Sequence, residues 1–147
     1  FKNLIILTHN SLVIFLALYF TDVKLTLNVI WVLYGIVILS INALCFSIIL
    51  SFLCTRYRDF ILIIRNLMFL LFLITPIFWM PNLLKGNRAL LADWNIVYQL
   101  IQTIRDPLLG ISLNKFNLIY TSSFTLVFII LTIFIYQKYE KKFNLWI

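Results

Sequence analysis

The residues that could carry chemistry in this sequence are few and widely spaced. Its 147 residues include five acidic residues and one histidine, His9. The acidic residues lie on different segments and there is no glycine-rich phosphate-binding loop, so no catalytic constellation is evident. His9 is interpreted as a hydrogen-bonded packing residue, with a proton carrier or a ligand as the alternative. We therefore expect a protein that is not an enzyme and that holds no cofactor or metal of its own.

The basic residues cluster near the ends of apolar runs and give the chain a net charge of +7. This placement argues against an arm for nucleic acid, which would form a basic patch or stripe. Arg56, Arg58 and Asp59 form a dense charged group. They are either anchors with a local ion pair worth about 0.5 kcal/mol, or a phosphate-facing cluster, because arginine binds phosphate in a bidentate manner. Both interpretations stay open.

The elements that must position these residues are helices in a membrane. Hydrophobic residues make up 63% of the chain and charged residues 12%, compared with about half and about a quarter in soluble domains. A bilayer core needs about 20 helical residues to cross, and charges at mid-depth are costly, so runs without charge mark the crossings. In the second run, Asn42 and Ser47 should face protein and form interhelical hydrogen bonds. The sequence predicts an all-α integral membrane protein with four transmembrane helices, at about 3–21, 27–54, 60–80 and 117–137.

Two prolines interrupt the third of these helices within the stretch FLITPIFWMPNLL, residues 72–84. Pro76 removes a backbone donor and clashes with the preceding turn, and Pro81 disfavours helical angles at the residue before it. We therefore expect the helix to kink at Pro76 and to end near the membrane surface at Pro81.

Basic residues also predict the orientation of the helices. They crowd the second connection, between Arg56 and Arg65, and the tail that begins at Lys138. The positive-inside rule places such regions in the cytoplasm. Both ends of the chain are therefore predicted to be cytoplasmic, with segment 82–116 on the outer side.

Segment 82–116 is too long for an ordinary loop and too apolar for a disordered one. Within it, WNIVYQLIQTI (94–104) repeats apolar residues at helical spacing, which predicts an amphipathic helix that Pro107 ends. Because lipid cannot satisfy free backbone groups, a helix that dips into the outer leaflet must be buried by protein or line a watery cavity. We expect a re-entrant or interfacial helical cap.

Three stretches carry a resemblance to a known family: CTRYRDF (54–60), LFLITPIFWMPNLL (71–84) and YQLIQTIRDPLLG (98–110). Together they resemble the permease subunit of type-2 ABC exporters, in the branch that moves lipid-linked O-antigen, other polysaccharides or teichoic acid. Such permeases have six membrane helices, so the resemblance implies that this chain is the last part of a longer one. It also implies a homodimer in the bacterial cytoplasmic membrane, two ATPase subunits that bind ATP and magnesium, and a lipid-linked glycan as cargo.

In that family the outer segment forms gate helices, which assigns a gate role here to residues 82–113. Sugars stack on aromatic rings and form hydrogen bonds through their hydroxyls. The candidate gate and channel residues are Tyr19, Tyr34, Phe78, Trp79, Trp94, Tyr98, Arg105, Asp106 and Tyr120. The alternatives are interfacial anchoring for the aromatic residues and simple solvation for the charged pair. The charged group at residues 56–59 would face the ATPase or the lipid diphosphate.

Two other functions compete with glycan export. A permease from another exporter branch, for drugs or other lipids, is disfavoured by the motif IRDPLLG. A multi-pass glycosyltransferase should show converging acidic residues, but Asp59 on the inside and Asp93 and Asp106 on the outside do not converge. The chain also departs from the family pattern at Ile96, where proline is frequent, and at Gln99, where histidine is common.

Overall fold

The structure of the protein is a computed structural model that describes residues 2–20, 27–76 and 94–143. These residues are mostly helical, and no strand occurs among them. A short 3-10 turn at Leu27–Val29 leads into the second helix. The helices are α1 (Lys2–Phe20), α2 (Ile30–Arg56), α3 (Phe60–Ile74), α4 (Ile96–Leu108) and α5 (Lys115–Phe143). The predicted all-helical class is confirmed for the described residues.

Two of these helices are long and apolar enough to cross a membrane: α2, and α5 as far as Glu140. Only 17% of the most apolar stretch of each is buried within the chain, whereas a helix in the core of a soluble protein is mostly buried. At about 1.5 Å per residue, both helices exceed the roughly 30 Å of a bilayer core. Shorter apolar helices lie at Thr8–Phe20 within α1 and at α3. The other two of the four predicted crossings, at α1 and α3, therefore stay predictions.

α2 and α5 lie side by side and run in the same direction. Residue numbers rise along both helices from one contact to the next. The three contacts are Tyr34 with Ser122, Asn42 with Thr125, and Phe52 with Tyr136. The carboxyl-terminal parts of the two helices, around Arg56 and Lys138, therefore lie at the same end of the pair. We call this the basic end. The sequence also predicts the same direction for these two helices, and the side of a membrane that the basic end faces stays a prediction.

α3 leads from the basic end back to the opposite end of the pair. It begins directly after the turn that follows α2, and its 15 residues cover about 22 Å. At its end, the Thr75 hydroxyl accepts a 3.4 Å hydrogen bond from Nδ2 of Asn95, the residue before α4. Because α4 packs against the amino-terminal parts of α2 and α5, α3 runs antiparallel to both.

The expected kink at Pro76 is wrong, because α3 ends before the proline rather than bending at it. Thr75 has extended angles, with φ −73° and ψ 129°, and a following proline favours this conformation by steric clash. The Thr75 hydroxyl also donates a 2.7 Å hydrogen bond to Leu71 O, the same carbonyl that accepts the Thr75 backbone N–H at 2.9 Å. The predictions that lie outside the described residues concern Phe78, Trp79, Pro81 and residues 82–93.

Asn95 fixes the beginning of α4. Its Oδ1 accepts hydrogen bonds from the backbone N–H groups of Val97 at 3.0 Å and Tyr98 at 3.3 Å, as an asparagine N-cap does. Its Nδ2 group makes the bond to Thr75, so one side chain joins the start of α4 to the end of α3. The helix predicted from the apolar spacing of residues 94–104 is confirmed.

Gly110 closes the other end of α4. Ile111 N–H donates to Asp106 O at 2.9 Å and Gly110 N–H to Pro107 O at 3.1 Å, which is a Schellman motif. The motif needs a residue with positive φ, and Gly110 has φ 77°. Asn28 Nδ2 donates to Gly110 O at 3.2 Å, which ties this turn to the start of α2. Pro107 lies inside the last turn of the helix, so it does not end the helix as predicted.

α2 and α4 touch at Gly35. A Cβ atom at this position would lie 2.7 Å from both Thr103 O and Ile104 Cγ1, closer than real Cβ atoms come to other heavy atoms. Glycine therefore allows the two helices to approach closely, as small residues do at helix contacts in membranes. Thr103 is fully buried at this contact.

The interior of the α2, α4 and α5 cluster is polar and its outside is apolar. Buried side chains in the described part of the chain include Asn42, Gln99, Thr103, Asn117, Thr121 and Thr125, whereas many large aliphatic side chains are exposed. Polar contacts between apolar helices are typical of membrane bundles. Asn42 Nδ2 donates to Thr125 Oγ1 at 2.8 Å, which confirms the predicted interhelical bond. Ser47 is exposed on the surface of the chain, contrary to prediction.

Candidate functional site

A pocket of about 530 Å³ opens between α4, the loop after it and the first turns of α5. We call it the α4 pocket. Its aromatic lining is Trp94 and Phe116, and the rest is Gln99, Gln102, Asp106, Ile111, Ser112, Asn114 and Asn117. It lies at the end of the α2 and α5 pair that is opposite the basic end.

Three aromatic rings form one wall beside the pocket. Trp94 and Tyr120 pack edge to face with ring centroids 6.1 Å apart, and Phe116 stacks on Tyr120 at 5.6 Å. The Tyr120 hydroxyl donates a 2.9 Å hydrogen bond to Trp94 O, while the Trp94 side chain stays 65% exposed. The structure therefore brings together two predicted residues, Trp94 and Tyr120. Phe116 was not predicted, although its spacing of four from Tyr120 on a helix signals contact.

Amide side chains form the floor of the pocket. Asn117 Nδ2 donates to Gln99 Oε1 at 2.6 Å and to Gln99 O at 3.0 Å, which joins α4 to α5. Both residues are nearly fully buried, and Asn117 Oδ1 has no hydrogen-bond partner in the described part of the chain. Sequence reasoning noted Gln99 as a departure from the family pattern but missed Asn117. The signal was the repeat of polar residues every four positions, Asn117, Thr121 and Thr125.

Arg105 and Asp106 separate, because adjacent helical residues point in different directions. Asp106 is half-buried and lines the pocket, whereas Arg105 is exposed. Burial raises the pKa of the Asp106 carboxyl, and the nearby positive charge of Arg105 opposes this shift. The pocket therefore contains a carboxyl group that is more readily protonated than an ordinary aspartate.

Stability should depend on pH through Asp106. The pKa of the Asp106 carboxyl is higher in the folded chain than in the unfolded chain, where it has the ordinary value of 3.8. Protonation of this carboxyl therefore stabilises the folded chain, and the full stabilisation is present below pH 3.8. This advantage is lost as pH rises through the raised folded value. Asp106→Asn cannot ionise, so its thermal midpoint should exceed that of the wild type by a margin that grows from acid toward neutral pH. Unfolding scans of the full-length protein in detergent measure this, with Glu140→Gln as the control; a constant margin would contradict the prediction.

The other predicted tyrosines lie away from the pocket opening. The Tyr34 hydroxyl lies 2.8 Å from Ser122 Oγ, between α2 and α5. Tyr98 is buried, and its hydroxyl accepts a 2.8 Å hydrogen bond from Gln102 Nε2, which places it behind the polar lining. Tyr19 is 83% exposed on α1, against which no other described helix packs. These three side chains are not brought together.

The charged group predicted for the cytoplasmic side lies at the basic end. Arg56 is the last residue of α2, and Arg58 and Asp59 follow in the turn to α3. All three are exposed, and the Arg56 guanidinium lies 5.3 Å from the centre of the Tyr57 ring. His9 is exposed on α1, so the described residues give no support to its interpretation as a packing residue.

The α4 pocket is suited to a ligand rich in hydroxyl groups. Aromatic faces can stack on the apolar face of a sugar ring, and amides offer both donors and acceptors to hydroxyls. The described residues contain no group of three His, Cys, Asp or Glu side chains that could hold a metal ion. No family profile, curated protein or solved structure matches the chain.

Proposed function

We propose that this chain is the permease subunit of an ATP-driven ABC exporter that moves lipid-linked polysaccharide across the bacterial cytoplasmic membrane. The observation that carries the proposal is the α4 pocket, with its aromatic wall and amide floor, at one end of two parallel apolar helices. The three motifs described above resemble those of this exporter family and support the same function.

The course of the chain supports a multi-pass permease. If α2 and α5 cross in the same direction, the chain between them must cross back an odd number of times. The proposal assigns one such crossing to residues 60–80, which begin with the antiparallel helix α3, and the fourth crossing to α1. The positive-inside rule then places the basic end in the cytoplasm and the α4 pocket on the outer side. In this arrangement α4 is the outer cap.

Export in this proposal needs partners. ATP and magnesium bind to two separate ATPase subunits, whose closure rocks the two permease copies and opens the outer end of the channel. The glycan passes the α4 pocket by stacking on Trp94 and Phe116, which line it, and by exchanging hydroxyl contacts with Gln102 and Asn114. Each contact is individually weak, so a long polymer can advance without being trapped.

A membrane glycosyltransferase is the second candidate, and Asp106 is the observation that favours it. Asp106 has a half-buried carboxyl with a raised pKa in a pocket that is suited to a sugar, and such a group can act as a general acid or base. Only one carboxyl from the described residues lines the α4 pocket, however, whereas a glycosyltransferase should show several converging acidic residues. The other alternative, a permease of drugs or other lipids, would not need the amide floor. We therefore place glycan export first.

The proposal is tested in the source bacterium after deletion of the gene. Full-length wild type should restore surface glycan, whereas Trp94→Ala should lower its export by about tenfold through loss of stacking. Trp31→Ala, on an aromatic residue outside the pocket, is the matched control. Lipid-linked glycan should accumulate inside cells that carry Trp94→Ala at wild-type protein level.

Three outcomes would contradict export. They are restoration of surface glycan by Trp94→Ala to the wild-type level, equal losses for Trp94→Ala and Trp31→Ala, and loss of the internal lipid-linked glycan in Asp106→Asn cells. The last result would support the glycosyltransferase, because a transferase makes the pool that an exporter empties.

A further inference from the structure

A second cavity, of about 440 Å³, lies at the basic end between the last turns of α2 and α5. Its floor is apolar and includes Ile49, Phe52 and Ile135. Its rim carries two cations, Arg56 from α2 and Lys138 from α5. We call it the basic groove. It lies at the opposite end of the helix pair from the α4 pocket and shares no lining residue with it.

Aromatic rings hold both cations at the rim of the groove. The Arg56 guanidinium lies 5.3 Å from the centre of the Tyr57 ring, and Lys138 Nζ lies 5.6 Å from the centre of the Tyr139 ring. Contacts of this kind favour a cation over the ring face. Both side chains are exposed, so an anion can approach them from outside.

We propose that the basic groove binds an anionic phospholipid of the bilayer. One acyl chain lies on the apolar floor, and the phosphate lies between Arg56 and Lys138. Arginine suits a bidentate contact with phosphate, and lysine adds a point charge from the other helix. Basic pockets between membrane helices on the cytoplasmic side are suited to anionic headgroups. The proposal depends on α2 and α5 crossing the membrane and does not depend on glycan export.

Charge decides which lipid the groove prefers. A zwitterionic headgroup carries an ammonium that opposes the two cations, whereas phosphatidylglycerol has no such group. Each basic residue near an anionic surface contributes about fivefold to binding, so the two together should give about 25-fold. The preferred occupant is therefore phosphatidylglycerol rather than phosphatidylcholine.

The test is a lipid titration of the full-length protein in detergent, followed by native mass spectrometry. Wild type should bind phosphatidylglycerol more tightly than phosphatidylcholine. Arg56→Gln and Lys138→Gln should each reduce the phosphatidylglycerol affinity by about fivefold, and the double variant by about 25-fold. Arg65→Gln with Lys115→Gln removes the same charge from exposed positions elsewhere and should leave the affinity unchanged. Arg56→Lys with Lys138→Arg keeps both charges and should keep the preference.

Three results would overturn the proposal. The first is equal wild-type affinity for the two phospholipids, and the second is an equal loss of affinity in the control pair. The third is displacement of phosphatidylglycerol by farnesyl diphosphate at a lower concentration than by phosphatidylglycerol itself. That result would assign the groove to a polyprenyl diphosphate carrier.

Discussion

Replacing Gly35 by leucine should push α2 and α4 apart and lower the free energy of unfolding by about 3 kcal/mol. A Cβ at this position meets the backbone at Thr103, 2.7 Å away at the oxygen and 3.0 Å away at the carbon. Backbone atoms cannot move aside as a flexible side chain can. Gly35→Ala should cost less, about 1 to 2 kcal/mol, because alanine is the better helix former and offsets part of the clash.

Chemical unfolding of the full-length protein in mixed detergent micelles, followed by circular dichroism, measures the effect of Gly35→Leu. Ala43→Leu is the matched control, because Ala43 is exposed on the same helix and a larger side chain there meets no backbone. Its effect should lie within about 0.5 kcal/mol of zero. Equal stability of Gly35→Leu and Ala43→Leu would show that α4 does not pack on α2 at this point.

Replacing Asn117 by leucine should lower the free energy of unfolding by about 3 kcal/mol. The change removes two hydrogen bonds, to Gln99 Oε1 and Gln99 O, and so takes from a buried amide oxygen the donor that lies 2.6 Å away. A buried polar group that loses its partner costs more than the bond itself contributed, because it has also lost water.

A double variant makes the second prediction specific. Gln99→Leu combined with Asn117→Leu removes both buried amides, so it should recover much of the stability that Asn117→Leu loses. Asn66→Leu, at an exposed position on α3, is the control and should have little effect. If the double variant were as unstable as the sum of the single variants, the bond between α4 and α5 would not explain the loss.

The sequence predicts the helices better than it predicts their contacts. α2 and α5 follow from long runs without charge, and α4 follows from apolar residues at helical spacing. The end of α3 was missed because the local effect of Pro76 on Thr75 outweighed the apolar run that continues past it. The same periodicity that identified α4 could not say which side of the helix packs on other helices, so it did not predict that Tyr98 is buried.

The α4 pocket was predictable only in part for the same reason. Trp94 and Tyr120 were both identified as aromatic residues that could stack on sugars, but their contact joins a loop to a helix that is distant in sequence. Asn117 was missed although it repeats every four positions with Thr121 and Thr125, because that repeat indicates a polar helix face but not the partner that this face contacts. Its partner, Gln99, lies 18 residues away in the sequence and contacts Asn117 because α4 and α5 pack side by side.

The proline inside α4 has a consequence on the neighbouring helix. Pro107 has no N–H, so Thr103 O, four residues earlier, cannot receive the usual helical bond from it. That oxygen faces Gly35, and one of the two α-hydrogens of Gly35 points along the direction that a Cβ would take. A Cα–H···O contact between the helices can therefore offset part of the loss of that bond. Pro107 on one helix and Gly35 on the other therefore both act on the same oxygen, Thr103 O. The effects of substitutions at the two positions on the free energy of unfolding should therefore be non-additive.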